Sequence, residues 1–412
     1  MQARAEITAK YARAYRAATK VEKGVLLAEL VAVTGWSRDH ARRRLRQAAK
    51  PRAARPRKRQ RARKFSYDAT KVLQRVWALS GGECGKYLAV AMPSLLAALE
   101  RHGELVPGRD RYSPAVRAEL LTMSAATIDR YLAPARSRDP LRGKSATKPS
   151  PLLRSSIQIR RAGDEVEDEP GFFEGDTVAH CGPTLKGEFV RSLNLTDMRT
   201  GWVFTRSTRN NAHVHVLAAL QDALEQIPFE VTGLDFDNGG EFINHAVIDW
   251  AAGRRIFFTR SRPYRKNDQA TIESKNNHLV RRYAFYWRYD TPEALQLLNQ
   301  LWPLVNDRLN YFTPTKKPVG WDTDRTGRRR RVYDEPATPF DRLLRAGVLS
   351  PAQQDELRRR REQLNPAQIA RRIQTIQDRL TGLAQDPTLA LQAAIEQPLP
   401  DTNRGVRLRR AS

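Results

Sequence analysis

The chain predicts a multidomain α plus α/β protein, on three observations. A charge-neutral block lies inside a strongly basic chain, strands and helices alternate within that block, and helical patterning dominates outside it. The 412 residues include 72 Lys and Arg against 45 Asp and Glu, a formal net charge of +27. Residues 1–64 hold 20 basic and 4 acidic side chains, whereas residues 172–312 hold 16 of each. A charge of this size speaks about partners rather than fold. It points to a polyanion, nucleic acid first and an acidic membrane surface second. Two cysteines, Cys84 and Cys181, exclude a disulfide scaffold and a Cys-rich zinc module. No run approaches the ~18 apolar residues of a membrane span, and no signal-peptide pattern is present. The expectation is a cytoplasmic, nucleoid-associated protein with no membrane partner.

Residues 1–50 read as a helix-turn-helix domain. Val25, Leu26, Leu30 and Val33 give the first helix an apolar stripe, Thr34-Gly35 stops it, and Ser37 caps a second helix reaching Ala48. That helix carries Arg38, Arg42, Arg43, Arg44 and Arg46, the pattern of a major-groove recognition helix. Arg38, Arg42, Arg43 and Arg46 are the candidate DNA contacts; the alternative is a solvated basic helix. Residues 51–64 hold eight basic side chains, no acid and no large apolar residue, and read as a flexible linker. There Arg57, Lys58 and Arg59 are candidates for phosphate or minor-groove contact. Residues 65–133 read as a second helical, helix-turn-helix-like domain, with a packing or multimerising role as the alternative. Residues 134–170 read as a linker.

From residue 171 to 315 the order is three strands, helix, strand, helix, strand, helix, an α/β pattern with a mixed sheet. Phe172, Phe173, Val178 and Ala179 make a buried strand around Asp176. Asp237 ends a later strand, followed by the turn signal Asn238-Gly239. Glu273 falls on a helix after Pro263–Asn267, with 35 residues between Asp237 and Glu273. Acids at such positions can converge on divalent cations, and hard oxygen ligands suit Mg2+ or Mn2+. Two such ions serve phosphoryl transfer. Competitors remain at each position: Glu174 beside Asp176, Asp235 beside Asp237, and Glu241 against Glu273. His180 and Cys181 are read as turn or core residues.

Asp176, the string Asp237-Asn238-Gly239-Gly240-Glu241-Phe242, the Lys266-Asn267-Asp268-Gln269 segment and Glu273 together resemble the D,D(35)E core of insertion-sequence transposases and retroviral integrases. The resemblance covers about residues 171–320. It implies a ribonuclease H-like fold, with Asp176, Asp237 and Glu273 as catalytic residues binding two Mg2+ (or Mn2+). It implies 3′-end cleavage of transposon ends and strand transfer into target DNA, without a covalent protein–DNA intermediate. It further implies double-stranded DNA as partner, a homo-oligomer on that DNA, and substrate contacts from Lys266, Lys275, Asn276 and Arg281. The chain lacks the cysteines for the zinc domain of retroviral integrases, which tilts the reading toward bacterial transposases. The competing functions are a metal-dependent nuclease without joining activity and an inactive DNA-binding regulator.

Residues 316–412 read as a basic β and helical region. Gly327–Val332 is a strand or turn, either DNA-contacting or a loop. Ile369, Ile373, Ile376, Leu380 and Leu383 step as a short heptad seam that packs on its own domain or pairs subunits.

Overall fold

The structure is a computed structural model that describes residues 2–49, 64–137, 169–236, 242, 245–260, 276–323, 325 and 327–396. It divides into two compact units, 1–64 and 65–412.

The first unit holds helices α1 (Gln2–Ala17), α2 (Lys20–Thr34) and α3 (Arg38–Ala49). Thr19 and Glu22 form a reciprocal capping box at the start of α2, and Gly35 ends it with a left-handed φ of 70°. The buried cluster is Ala12, Leu27, Leu30, Ala41 and Leu45. The expected stripe on α2 is therefore displaced. Leu30 is buried as expected, but Val25 and Val33 are exposed, and Leu27 and Thr34 complete the inner face. The reason is α1, which packs on both other helices and sets which side of α2 turns inward.

The second unit begins with α4 (Tyr67–Ser80), α5 (Gly85–Arg101), α6 (Pro114–Thr122) and α7 (Ala125–Arg136). Ser66, Ser113 and Ser124 each accept a backbone N–H at a helix start. These helices share one continuous buried cluster with the sheet and the C-terminal helices, so residues 65–133 are part of a larger unit rather than a free-standing domain.

The sheet has five strands: β1 (Phe172–Ala179), β2 (Arg191–Asp197), β3 (Val203–Thr208), β4 (Gly233–Phe236) and β5 (Phe257–Arg260). Their order is β3-β2-β1-β4-β5. The β1/β2 and β2/β3 pairs are antiparallel, while β1/β4 and β4/β5 are parallel. Helix α8 (His213–Gln226) joins β3 to β4, and α9 (His245–Gly253) lies between β4 and β5. This is a ribonuclease H-like mixed sheet with helices.

A π-helix (Asn276–Arg281) and a short turn, α10 (Arg282–Ala284), lead to the long helix α11 (Pro292–Phe312). Helix α11 also guards the edge strand β3. Asn299 accepts from the Ser207 N–H and donates to its carbonyl, at 2.8 and 3.0 Å, and Asn310 does the same at Val203, at 2.8 and 2.9 Å. Eleven residues, about three helical turns, separate the two asparagines, so both lie on one side of α11. Backbone groups that would otherwise offer a template to another chain are satisfied in this way.

A two-stranded hairpin follows, β6 (Pro318–Thr323) and β7 (Arg329–Tyr333). Then come α12 (Pro339–Ala346), α13 (Pro351–Gln363) and α14 (Pro366–Glu396). Asn365 caps α14 by accepting the Ala367 N–H at 2.9 Å. Ile369, Ile373, Ile376 and Leu380 are buried against this same unit, chiefly on α11. Of the two roles open to the heptad seam, the first is the one observed. No helix among the described residues is long and apolar enough to cross a membrane.

Candidate active site

Strand β1 owes its place at the centre of the sheet to its two faces. Phe173 and Gly175 alternate on one face, Glu174 and Asp176 on the other. Phe173 stacks on Phe229 with ring centroids 5.7 Å apart. Gly175 is required by the neighbouring strand, since a Cβ there would lie 2.2 Å from the Phe236 ring. Phe236 in turn stacks on Phe242 at 4.0 Å. Apolar packing on one face thus fixes the strand, and the other face presents acids.

On the acidic face the ladders align rows of polar residues. Glu174 pairs with Asp235, which pairs with Thr259, and the Thr259 hydroxyl donates to Asp235 Oδ1 at 2.8 Å. Glu174 and Asp235 are both buried. Asp176 pairs with Asn194 across β2 and is only half-buried. Its Oδ1 accepts the Thr177 N–H at 2.7 Å, which fixes the carboxylate's orientation. The parallel ladder ends at Gly175–Phe236, one residue before Asp176 on β1. Asp237, next in sequence after Phe236, lies outside the described residues, as do Glu273, Lys266, Lys275, Arg57, Lys58 and Arg59. Asn276 begins the π-helix.

The end of β1 is held by the segment following residue 280. Arg281, expected as a DNA contact, is buried instead, and its guanidinium donates to the Ala179 carbonyl at 2.9 Å and lies over Tyr286. Its place is beneath the strand end rather than toward a phosphate. Arg288, not singled out in the sequence, gathers the loop after β1. It donates to the carbonyls of Cys181, Thr184, Lys186 and Glu188 at 3.0–3.2 Å and pairs with Asp290 at 2.7 Å. Its only sequence signal is an arginine within the aromatic run 283–289. His180 is buried with Nε2 2.8 Å from the Ser192 hydroxyl, which continues to Ser207 and then to the Trp302 N–H. Burial, with Arg281 nearby, pushes the imidazole's pKa well below the usual histidine range. His180 and the free thiol Cys181 are core residues, as expected.

Behind the acids, Lys317 reaches inward to donate to Met198 O at 2.9 Å and Asp197 O at 3.3 Å. Burial pulls its pKa down, and Asp197 and Glu174 oppose that pull. In the first unit, Arg38, Arg43 and Arg46 are exposed on α3, while Arg42 is half-buried and 3.4 Å from Asp39.

Residues 167–266 match the integrase core domain family, a span that includes Asp176 and Asp237. Among solved structures the chain is similar to the catalytic core domain of BIV integrase, at 16% identity and a TM-score of 0.30 over 43% of this chain and 95% of that one. It is also similar to the HTLV-2 integrase catalytic core domain solved with magnesium, at 15% identity and a TM-score of 0.27 over 36% and 91%. Over 320 residues it is 38% identical to the uncharacterized protein y4rM of Sinorhizobium fredii (strain NBRC 101917 / NGR234), covering 77% of this chain and 88% of that one. The chain belongs to the family of that rhizobial protein, and its central sheet is an integrase-like core of the polynucleotidyl transferase superfamily.

Proposed function

We propose that the protein is a DNA transposase of the D,D(35)E class, which cleaves 3′ ends of its element and joins them to target DNA. The observation that carries this reading is Asp176 on the central strand of the integrase-like sheet, half-exposed, with the β1/β4 ladder ending at Gly175–Phe236, one residue before Asp176 in β1. Asp237 follows Phe236 directly, and Glu273 precedes Arg281, which bonds to β1 three residues past Asp176, by eight positions. Both relations support one site built from Asp176, Asp237 and Glu273.

The donor chemistry fits two Mg2+ (or Mn2+) ions, because all three ligands are carboxylates, and Asp176 is not sealed from solvent. Such ions supply Lewis acidity for an in-line displacement at phosphorus. The chain's own contribution is positional. The Thr177 N–H holds the Asp176 carboxylate, Phe236 packed over Gly175 holds β1 and β4 in register, and Arg281 and Arg288 hold the strand end. The exposed arginines of α3 in a helix-turn-helix arm, with residues 51–64, would grip the element ends, and a homo-oligomer would bring two ends together.

The test incubates the protein and Mg2+ with labelled duplexes taken from the DNA flanking its gene and a plasmid target. Joined products that disappear in Asp176→Asn, Asp237→Asn and Glu273→Gln support the reading. Cleavage without joining would make it a nuclease, and joining undiminished in the three variants would sink the site.

A further inference from the structure

Most of the described side chains of the β6–β7 hairpin are exposed, yet both of its ends are riveted into the unit. Lys317, just before β6, donates its N–H to Asp334, just after β7, at 2.6 Å, and its ammonium is tied to Met198 and Asp197. Asp334 pairs with Arg342 at 2.9 Å, and Arg342 donates to the carbonyls of Thr315 and Ala337 at 2.5 and 2.9 Å. A two-stranded ribbon alone is marginally stable in water. Here a buried ionic base holds a ribbon that buries little of its own.

The two faces of the ribbon differ. Arg331 pairs with Trp321 and Arg329 with Thr323 in the ladder, so these four positions belong to one face. The Arg329 guanidinium sits 5.0 Å from the centre of the Trp321 ring, which is 40% exposed. Asp322 and Arg330 are paired on the other face and form an ion pair at 3.1 Å, which leaves that face electrically balanced. Residues 318–333 hold five arginines and two aspartates. A cationic and aromatic face on a rigid ribbon complements a phosphate backbone, and a two-stranded ribbon has the width that a duplex major groove admits.

We propose that the Trp321–Arg329 face is a second duplex-DNA contact, made to the sugar-phosphate backbone and independent of the α3 arm. This rests on the DNA reading above. The occupant is a polyanionic duplex, because the five arginines of residues 318–333 against two aspartates complement phosphates in charge. It is also a duplex rather than a membrane, because the ribbon's exposed apolar side chains, Val319, Trp321, Val332 and Tyr333, are split between its two faces and interleaved with arginines.

Each phosphate contact contributes about 0.9 to the slope of log K against log salt. With full-length protein and a fluorescent 30-base-pair duplex of arbitrary sequence, the R329A variant should lower that slope by about 0.9. R330A, on the balanced face, should leave it unchanged, and Trp321→Ala should weaken binding at constant slope. Circular dichroism and thermal melting confirm that each variant folds. A slope unmoved in R329A while the wild type binds steeply overturns the hairpin contact and leaves the DNA reading standing. An equal drop in R330A overturns it too, since the effect is then net charge alone. So does a variant that loses binding to phosphatidylserine vesicles but keeps the duplex slope. A wild type with no salt-dependent duplex binding removes both proposals together.

Discussion

Arginines in the N-terminal unit and in the core lead different lives. On α3, Arg38, Arg43 and Arg46 are exposed around the buried pair Ala41 and Leu45. In the second unit, Arg281, Arg288 and Arg342 point inward and donate to backbone carbonyls of strand ends and loops. A guanidinium buried inside the protein and bonded to its carbonyls is lost to a phosphate. Sorting arginines by exposure rather than counting them therefore separates grip from scaffold, and net charge by itself does not.

The largest effects should come from the acid that the core positions. Asp176→Asn keeps the shape of the side chain and removes its charge. Strand joining should fall on the order of 10³-fold, as for loss of a strong electrostatic group, while duplex affinity changes little. A comparable loss of affinity would place Asp176 in binding rather than chemistry. Next in size is the α3 triple variant R38A/R43A/R46A. If each contacts one phosphate, the salt slope falls by about 2.7. Arg288→Ala should leave that slope unmoved and lower the melting temperature instead, because it unties the loop after β1. Equal slopes for the two variants would erase the distinction between the regions.

Part of this division was legible in the sequence. The succession of strands and helices followed from apolar runs such as the one around Asp176, whereas the order β3-β2-β1-β4-β5 is set by long-range pairing. The cap at Ser37 marks a helix start by a local rule, and its hydroxyl accepts the His40 N–H at 3.3 Å. Helix α1 was missed, since its inner residues Ile7, Tyr11, Ala12 and Tyr15 are diluted by Arg, Lys and Ala and no cap announces it. That omission also misplaced the stripe on α2. The burial of Arg281 was illegible for a different reason: helical spacing tells which residues share a face, not whether that face meets solvent or a strand end 102 residues away. The shared cluster of α4–α7 with α11 and α14 is likewise a long-range product of packing.

A glycine pair tests the same contrast with one chemical change. Gly175→Ala would put a methyl 2.2 Å from the buried Phe236 ring, and overpacking of this kind costs about 1–3 kcal/mol. Gly24 lies within α2, and a Cβ added there would meet nothing within 4 Å, so Gly24→Ala should stabilise its helix by about 0.5–1 kcal/mol. Thermal melts of the two variants should therefore shift in opposite directions. A stabilised Gly175→Ala would mean that β1 and β4 are packed more loosely than described.

The smallest expected effect concerns how the helical segment is fastened to α14. Arg371 donates to both carboxylate oxygens of Glu104, at 2.6 and 3.0 Å, and Asn365 adds a third bond at 3.0 Å. The hydrogen bond from Arg371 is the main reason the Glu104 pKa drops from 4.5 to about 2. A carboxyl with a depressed folded pKa contributes stability that is fully present above its unfolded value, near 4.5, and is lost as pH falls through the folded one, near 2. Arg371 is mostly exposed, so screening limits the contribution to about 1 kcal/mol or less. Glu104→Gln should thus melt slightly below the wild type at pH 7, and the gap should close as the pH is lowered below 4.5. A gap that stayed constant across that range would mean that Glu104 acts through packing rather than charge, and that the helices are held to α14 by their shared apolar cluster alone.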